Sequence, residues 1–191
     1  MIEGAKKVME CFGVEPGESV LIVVDTRTPQ TISSSLFEAA RDIGCDVMIL
    51  TMLPRNHHGE ELPDAIAEAM KRADVVIAPT TFSLTHTQAR INACRAGARI
   101  ASMPGITEEM MEKGGITADC GDIHDIAIRL MKRLEGVRKV RVVTESNTDI
   151  VFDLDGCEWR MDTGLCREPG SSSNLPAGEL YIAPAAHWQC A

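Results

Sequence analysis

The stretch Val20-Leu21-Ile22-Val23-Val24 decides the fold, because five consecutive apolar residues leave no polar face. A strand of this composition is typical of a sheet that is covered on both sides. Three similar runs follow along the chain, the last of them weaker: 47–50, 75–78 and 99–103. The sequence therefore predicts about four buried strands.

Helical patterns separate these strands. Apolar residues recur at three- and four-residue spacing from Ile32 to Ile43, and Gly44 is placed to end that helix. Further helices are predicted around 66–70 and from about 85 to 96. Strands that alternate with helices pair in parallel through right-handed crossovers. The sequence thus predicts an α/β fold, with an open, mostly parallel, Rossmann-like sheet and helices on both faces.

The pattern changes after a last predicted helix, which runs from near Asp122 to Leu134. Residues 140–144 and 150–154 alternate between apolar and polar side chains, and Asn147 lies between them as a turn residue. These two segments are predicted to form a β-hairpin. We therefore expect two units, an α/β domain over 1–137 and the β-rich beginning of a second domain over 138–191.

The charge and the hydropathy of the chain exclude some classes of partner. A formal net charge of −9 argues against a nucleic-acid partner and against an anionic membrane surface. No apolar run is long enough to cross a bilayer. The segment from Met1 to Phe12 carries four charges and lacks the apolar core of a signal peptide. The sequence therefore predicts a cytoplasmic protein with no nucleic-acid or membrane partner.

The seven cysteines are widely spaced and form no Cys-x-x-Cys pair. We expect most of them to be reduced, small, buried residues. Cys157, Cys166, His187 and Cys190 could supply four zinc ligands on paper, but their spacings match no common structural zinc site.

Local motifs assign no catalytic or cofactor-binding residue. The segment after the first strand, 25–31, lacks the Gly-x-Gly-x-x-Gly of a dinucleotide site, so Asp25 and Thr26 are expected only to end the strand. The chain also contains no Gly-x-Ser-x-Gly and no His-Glu-x-x-His.

Three histidine positions are candidate ligands. The loop 79–87 follows the third strand, where open α/β sheets place binding residues, and its hydroxyls and His86 could hold a ligand. Capping and loop hydrogen bonds are the favoured interpretation of that loop. His57-His58 is expected to lie in a solvated loop, and His124 has no obvious partner.

Longer strings carry a resemblance to a known family. The segments 79–87 and 98–108 are similar to the N-terminal domain of leucyl aminopeptidase-like proteins, in the aminopeptidase T and aminopeptidase S group of metallopeptidases. The strings Asp162-Thr163-Gly164 and 174–184 resemble the segment with the first metal ligand of that family, and the resemblance extends from about Gly17 to Pro184.

The resemblance implies an enzyme that removes the N-terminal residue of a peptide with a pair of divalent ions of the zinc, cobalt or manganese class. It places the first glutamate ligand of the family on Glu179. The remaining ligands of the family lie further downstream, whereas this chain ends at Ala191. We therefore expect that the chain alone does not bind a complete metal pair and does not hydrolyse peptides.

Two other functions remain open. A ring-opening dioxygenase of dihydroxypyridines shares this scaffold by resemblance and would use iron. Alternatively, the chain could be a non-catalytic α/β binding or assembly module. Unpaired strand edges in the β-rich segment also favour self-association, so a homodimer or higher homo-oligomer is expected.

Overall fold

The computed structural model describes residues 1–183 and the strand 188–190. Six α-helices and ten β-strands form in these residues, with one 3₁₀ turn at Gly115–Thr117. The helices are α1 (Ile2–Cys11), α2 (Gln30–Ile43), α3 (Asp64–Met70), α4 (Gln88–Arg95), α5 (Glu108–Lys113) and α6 (Cys120–Leu134). The strands are β1 (Ser19–Asp25), β2 (Asp46–Met52), β3 (Val75–Ala78), β4 (Arg99–Ser102), β5 (Lys139–Val143), β6 (Asp149–Asp153), β7 (Arg160–Asp162), β8 (Ser172–Asn174), β9 (Glu179–Tyr181) and β10 (Trp188–Cys190).

The main sheet has five strands in the order β2-β1-β3-β4-β8, and every neighbouring pair is parallel. The chain leaves β1 to form β2 on one side and returns to form β3 on the other. The carboxyl ends of these strands therefore lie at one edge of the sheet, where open α/β sheets bind ligands. The predicted α/β fold with a parallel sheet is confirmed.

Strand β1 explains why the sheet is buried on both faces. Val20 and Ile22 pack into a core cluster with α1 and α2, whereas Leu21 and Val23 pack into a second cluster with α3 and α4. All four side chains are at most 1% exposed. Burial on this scale stabilises each side chain by about 1.5–3 kcal/mol, so the apolar run is sufficient to place β1 in the centre.

Helix ends follow the capping residues in the sequence. Gly44 ends α2 in the left-handed conformation, with a φ of 101°, as predicted. The hydroxyls of Thr87 and Thr107 accept hydrogen bonds from backbone N–H groups at the beginnings of α4 and α5. The carboxylate of Asp119 does the same at the beginning of α6.

The fifth strand of the main sheet was not predicted. Residues 169–173 carry the proline, glycine and serines of a flexible loop, yet Ser172 and Ser173 form β8 beside β4. The backbone ladder with β4 holds this strand together with the serine hydroxyls, since Ser172 accepts from Arg90 and Ser173 donates to Asp162. Part of the segment assigned to the second unit thus completes the sheet of the first, and the division at residue 138 stays a prediction.

The rest of the C-terminal segment is rich in β-structure, as predicted. Strands β5 and β6 form the expected antiparallel hairpin, with Asn147 in its turn at a φ of 63°. Strand β10 pairs with β6, and β7 pairs with β9. The β7–β9 pair sets Asp162 opposite Glu179.

Two of the seven cysteines differ from the expectation of reduced thiols. Cys11 at the end of α1 and Cys120 at the beginning of α6 form a disulfide. Cys45, Cys94, Cys157 and Cys166 are free. Among the described helices, none is long and apolar enough to cross a membrane.

Candidate functional site

A cleft of about 440 Å³ opens beside the carboxyl ends of β4 and β8. One wall is the loop before α4, the opposite wall is the β7–β9 pair, and α6 contributes His124. The cleft lies within the size range of small-molecule sites. Its polar side chains include Thr85, His86, Arg90, His124, Asp162 and Asn174, and its apolar ones Ile100, Met161, Leu165 and Tyr181.

Hydrogen bonds hold the polar wall in place. Thr85 Oγ1 donates to Asn174 Oδ1 at 2.8 Å, which joins the loop before α4 to the end of β8. The guanidinium of Arg90 donates from Nε to the Thr85 carbonyl at 2.9 Å and from Nη1 to Ser172 Oγ at 3.0 Å. Arg90 therefore reaches across from α4 to β8 and places its positive charge along the cleft.

Asp162 organises the opposite wall. Its carboxylate accepts hydrogen bonds from the Ser173 hydroxyl, from the Asn174 backbone N–H at 3.1 Å and from the Gly164 backbone N–H at 3.4 Å. Strand β7 is tied by these bonds to β8. Because β7 pairs with β9, the same contacts also set the position of Glu179 relative to the main sheet.

His124 occupies the end of the cleft that α6 forms. Its Nδ1 lies 3.2 Å from the Thr163 hydroxyl, so the histidine that lacked a partner in the sequence acquires one from the β7–β8 connection. His86, by contrast, is exposed and presents its ring to the cleft. The two imidazoles are groups that could donate hydrogen bonds to a ligand or exchange protons with it.

Cys166 lines the cleft but is not a nucleophile. Burial raises the pKa of its thiol to about 11, although the contact with the Ser171 hydroxyl opposes this effect. The thiol donates to Ser171 Oγ at 2.9 Å. A thiol that stays protonated near neutral pH neither attacks a substrate readily nor binds a metal as thiolate.

The metal ligands in the cleft are too few for a complete site. Glu179 is exposed at the rim, while the Asp162 carboxylate is already engaged by three donors. Nowhere in residues 1–183 do three or more His, Cys, Asp or Glu side chains come together as a metal site. His187 and the Cys190 side chain, weighed as zinc ligands, lie outside the described part of the chain.

The loop 79–87 makes structural contacts along its first part and at its end, and it also borders the cleft. Thr81 donates its hydroxyl and its backbone N–H to the buried Asp25 carboxylate, at 3.0 and 2.6 Å, and Thr87 caps α4. These contacts are structural, because they join the carboxylate at the end of β1 to the loop that follows β3. Only Thr85 and His86, at the far end of the loop, line the cleft.

His57 and His58 lie away from the cleft. His58 Nδ1 accepts a hydrogen bond from the Ser83 backbone N–H at 2.9 Å, and its ring packs edge-on against Phe82. The Nδ1 atom of His57 lies 3.1 Å from the His58 carbonyl oxygen. The pair therefore braces two loops, and it shows no metal-binding geometry among the residues that the structure describes.

Sequence reasoning gave no role to Arg90, Asp162 and Asn174. Asp162 and Asn174 stood within strings that carried the family resemblance, but their spacing did not reveal that they meet. The sequence did not indicate a role for Arg90, because an arginine in a polar helix is usually solvated.

A family model matches residues 1–188 of the chain, and its description is NicX, 2,5-dihydroxypyridine 5,6-dioxygenase. No curated protein matches the sequence significantly.

Two solved structures share the fold. One is a 2,5-dihydroxypyridine dioxygenase from Pseudomonas putida, with a TM-score of 0.74, 18% identity, and coverage of 96% of this chain and 55% of that chain. The other is AmpT from Thermus thermophilus, with a TM-score of 0.50, 16% identity, and coverage of 98% of this chain and 62% of that chain. The chain thus spans somewhat over half the length of either protein. At these identities the likeness extends to the fold alone.

Proposed function

The chain belongs to the NicX family of 2,5-dihydroxypyridine 5,6-dioxygenases, and from this premise we propose that it takes part in the dioxygen-dependent opening of a hydroxylated pyridine ring. The observation that carries the proposal is the family match over residues 1–188, which includes both the main sheet and the strands around the cleft. The chain covers only 55% of the dioxygenase structure, so the activity of a whole enzyme is part of the proposal.

The cleft supports a small, flat, polar ligand. Its partly exposed apolar side chains, among them Met161 and Leu165, could contact the faces of a ring, whereas His86, His124 and Arg90 are donors placed to meet ring hydroxyls. Sites of this kind combine apolar surface for affinity with a few polar groups for orientation.

The aminopeptidase interpretation is supported at the level of the fold only. AmpT shares the fold at 16% identity, whereas the family match concerns the dioxygenase. The resemblance in the sequence therefore identified a scaffold that both enzyme types use. The dioxygenase, which was the alternative to the aminopeptidase, is the better supported of the two. A non-catalytic binding module would share the cleft but would bind a ring without opening it.

Both candidate enzymes would need a metal. The dioxygenase would use iron, and the aminopeptidase would use an ion of the zinc, cobalt or manganese class. The described residues do not fit a complete centre, because Glu179 stands at the rim with too few further ligands beside it. We propose Glu179 as one ligand and assign the others to polypeptide outside the described residues. The chain's own residues would orient the ring, while dioxygen chemistry would depend on the completed centre.

Binding of 2,5-dihydroxypyridine tests the proposal. Without oxygen, calorimetric titration of the chain should show saturable binding, and His86→Ala should weaken it roughly three- to tenfold through loss of one hydrogen bond. His57→Ala is the matched control, because it removes an exposed histidine outside the cleft. The control should bind as the wild type does.

Turnover assays test whether the chain alone carries either activity. The chain alone, with ferrous iron and dioxygen, is expected to bind the ring without opening it. With zinc, cobalt or manganese it is expected to leave an aminoacyl anilide intact. Metal-dependent release of the anilide, or absence of any saturable binding of the dihydroxypyridine, would refute the proposed function.

The division into units over 1–137 and 138–191, a cytoplasmic location and self-association remain proposals beside this function.

A further inference from the structure

Strand β2 forms one edge of the main sheet and presents an uncovered apolar surface there. Its side chains Met48 and Ile49 are 46% and 38% exposed, and Leu53, which follows the strand, is 70% exposed. Met48 belongs to the sheet face that carries α3 and α4, and Ile49 to the face that carries α2. Both faces of the edge are therefore apolar, which is unusual for an exposed strand.

The backbone of β2 also has a row of groups that point away from β1. The N–H of Asp46 donates to Glu18 O at 2.9 Å, and the carbonyl of Met52 accepts from the N–H of Thr26 at 3.0 Å. Even-numbered residues of β2 thus bond towards β1, and the parallel register holds through the whole strand. The N–H and C=O groups of Val47, Ile49 and Thr51 consequently point outward.

Edge strands in monomeric proteins are usually blocked by a charge, a proline or a bulge. From residue 47 to residue 53 the chain has no charged residue, no proline and no glycine, and its register with β1 is unbroken. The one charge in the strand, Asp46, stands at its beginning. This edge is therefore open to another strand.

We propose that β2 docks against β2 of a second copy of this chain, antiparallel, with the two-fold axis at Ile49. In this register Ile49 lies opposite Ile49, and Val47 of each copy lies opposite Thr51 of the other. All outward groups then face each other as hydrogen-bonded pairs, each of which exchanges two bonds. The two five-stranded sheets become one continuous sheet across an isologous interface.

The outward groups of β2 are symmetric about Ile49, which fits a second copy as the occupant, and the charges within the strand do not oppose this pairing. In this register Asp46 of one copy lies opposite Met52 of the other, and the two Asp46 side chains are separated by six residue steps, or about 20 Å. That distance exceeds the Debye length of about 8 Å at physiological ionic strength, so the strand does not repel its own copy. Met48 and Leu50 also become cross-strand neighbours on one face.

The net charge of the whole chain acts in the opposite direction. Each copy carries a formal charge of −9, so repulsion between copies is screened as salt increases. Dimerisation through β2 is therefore expected to strengthen with ionic strength. A contact built on surface ion pairs would weaken under the same conditions.

Light scattering and sedimentation of the full chain, with a reductant present, measure the association. At tens of micromolar the wild type should have the mass of a dimer. Ile49→Lys sets two lysines opposite each other and should raise the dissociation constant at least about tenfold. Val143→Lys is the matched control, since Val143 is a 62% exposed valine on the edge strand β5 of the other sheet, and it should leave the dimer intact.

Two further measurements test whether β2 is the strand that pairs between the two copies. Mixing Ile49→Lys with Ile49→Glu should restore a heterodimer, because opposite charges then meet at the axis. Amide exchange should slow with protein concentration at Val47, Ile49 and Thr51, while the inward amides of Met48 and Leu50 stay protected throughout. If Ile49→Lys misfolds by circular dichroism, Met48→Lys on the opposite face serves as the second variant.

Three results would overturn the proposal. The first is a wild type that stays monomeric at every salt concentration. The second is a dimer that Val143→Lys disrupts and Ile49→Lys does not, which would place the contact in the β-rich segment. The third is exchange at the three outward amides that does not depend on protein concentration.

Discussion

Replacing Asp162 with alanine should loosen the strand pair that carries Glu179 and reduce the free energy of unfolding by about 1.5–3 kcal/mol. A hydrogen bond to a charged group contributes about 1.5–3 kcal/mol. The Gly164 contact is long at 3.4 Å, so we count the bonds from Ser173 and Asn174, which together contribute roughly 3–6 kcal/mol. Asp162 is partly exposed, and water that enters recovers about half of this amount.

Thermal unfolding measures the effect. For a chain of this length each kcal/mol lowers the melting temperature by about 2–4 °C, so the expected fall is roughly 3–12 °C. Asp149→Ala is the control, because its carboxylate pairs with Arg141 on the exposed surface and should leave the melting temperature unchanged. Amide exchange should also accelerate in β7 and β9 specifically.

Asp162→Asn keeps one acceptor oxygen and should fall between the wild type and the alanine variant. Equal melting temperatures for Asp162→Ala and Asp149→Ala, with unchanged exchange in β9, would refute the idea that Asp162 holds the wall of the cleft.

Three other variants probe the scaffold. Gly4→Ala should destabilise the protein by about 1–2 kcal/mol in urea unfolding, because the new methyl group would lie 2.1 Å from the Met111 carbonyl oxygen, and overpacking outweighs the gain in helix propensity. Stability equal to or above that of the wild type would contradict this. The backbone N–H and hydroxyl of Ser19 lower the pKa of Asp74, so its contribution is present above the unfolded pKa of about 3.9 and is lost as pH falls through the lower folded value. The difference in stability between the wild type and Asp74→Asn should therefore be constant at neutral pH and shrink in acid, as urea titrations at several pH values would show. Thr87→Ala should cost about 1–2 kcal/mol in the same assay through loss of the α4 cap, and an unchanged midpoint would count against that role.

The main sheet was predictable because its information is local. The run 20–24 can be buried only in a central strand, and the spacing from Ile32 to Gly44 specifies the crossover helix that follows. Strand β8 could not be predicted, because Ser172 and Ser173 have the composition of a loop. Its place depends on backbone pairing with β4, between residues some 70 positions apart.

The cleft was predictable only in part. Loop 79–87 stood out because it follows a buried strand, and the structure places Thr85 and His86 of this loop in the cleft. Arg90 and Asp162 could not be found in this way, because their roles arise from contacts with β8. Once a strand is missed, the side chains that meet it have no visible partner in the sequence.

This dependence on β8 also explains why one sequence resembles two kinds of enzyme. Glu179 owes its position to β9, which β7 holds beside the main sheet through Asp162. This arrangement places a carboxylate at the rim of the cleft, where it could bind either kind of metal ion. Glu179 alone therefore does not distinguish a dioxygenase from an aminopeptidase. Under the proposed function the cleft would distinguish them, because Met161, Leu165 and the two imidazoles of His86 and His124 would contact the organic substrate itself. Ligand binding in the cleft is therefore the more discriminating property of this chain, and it can be measured before any metal is added.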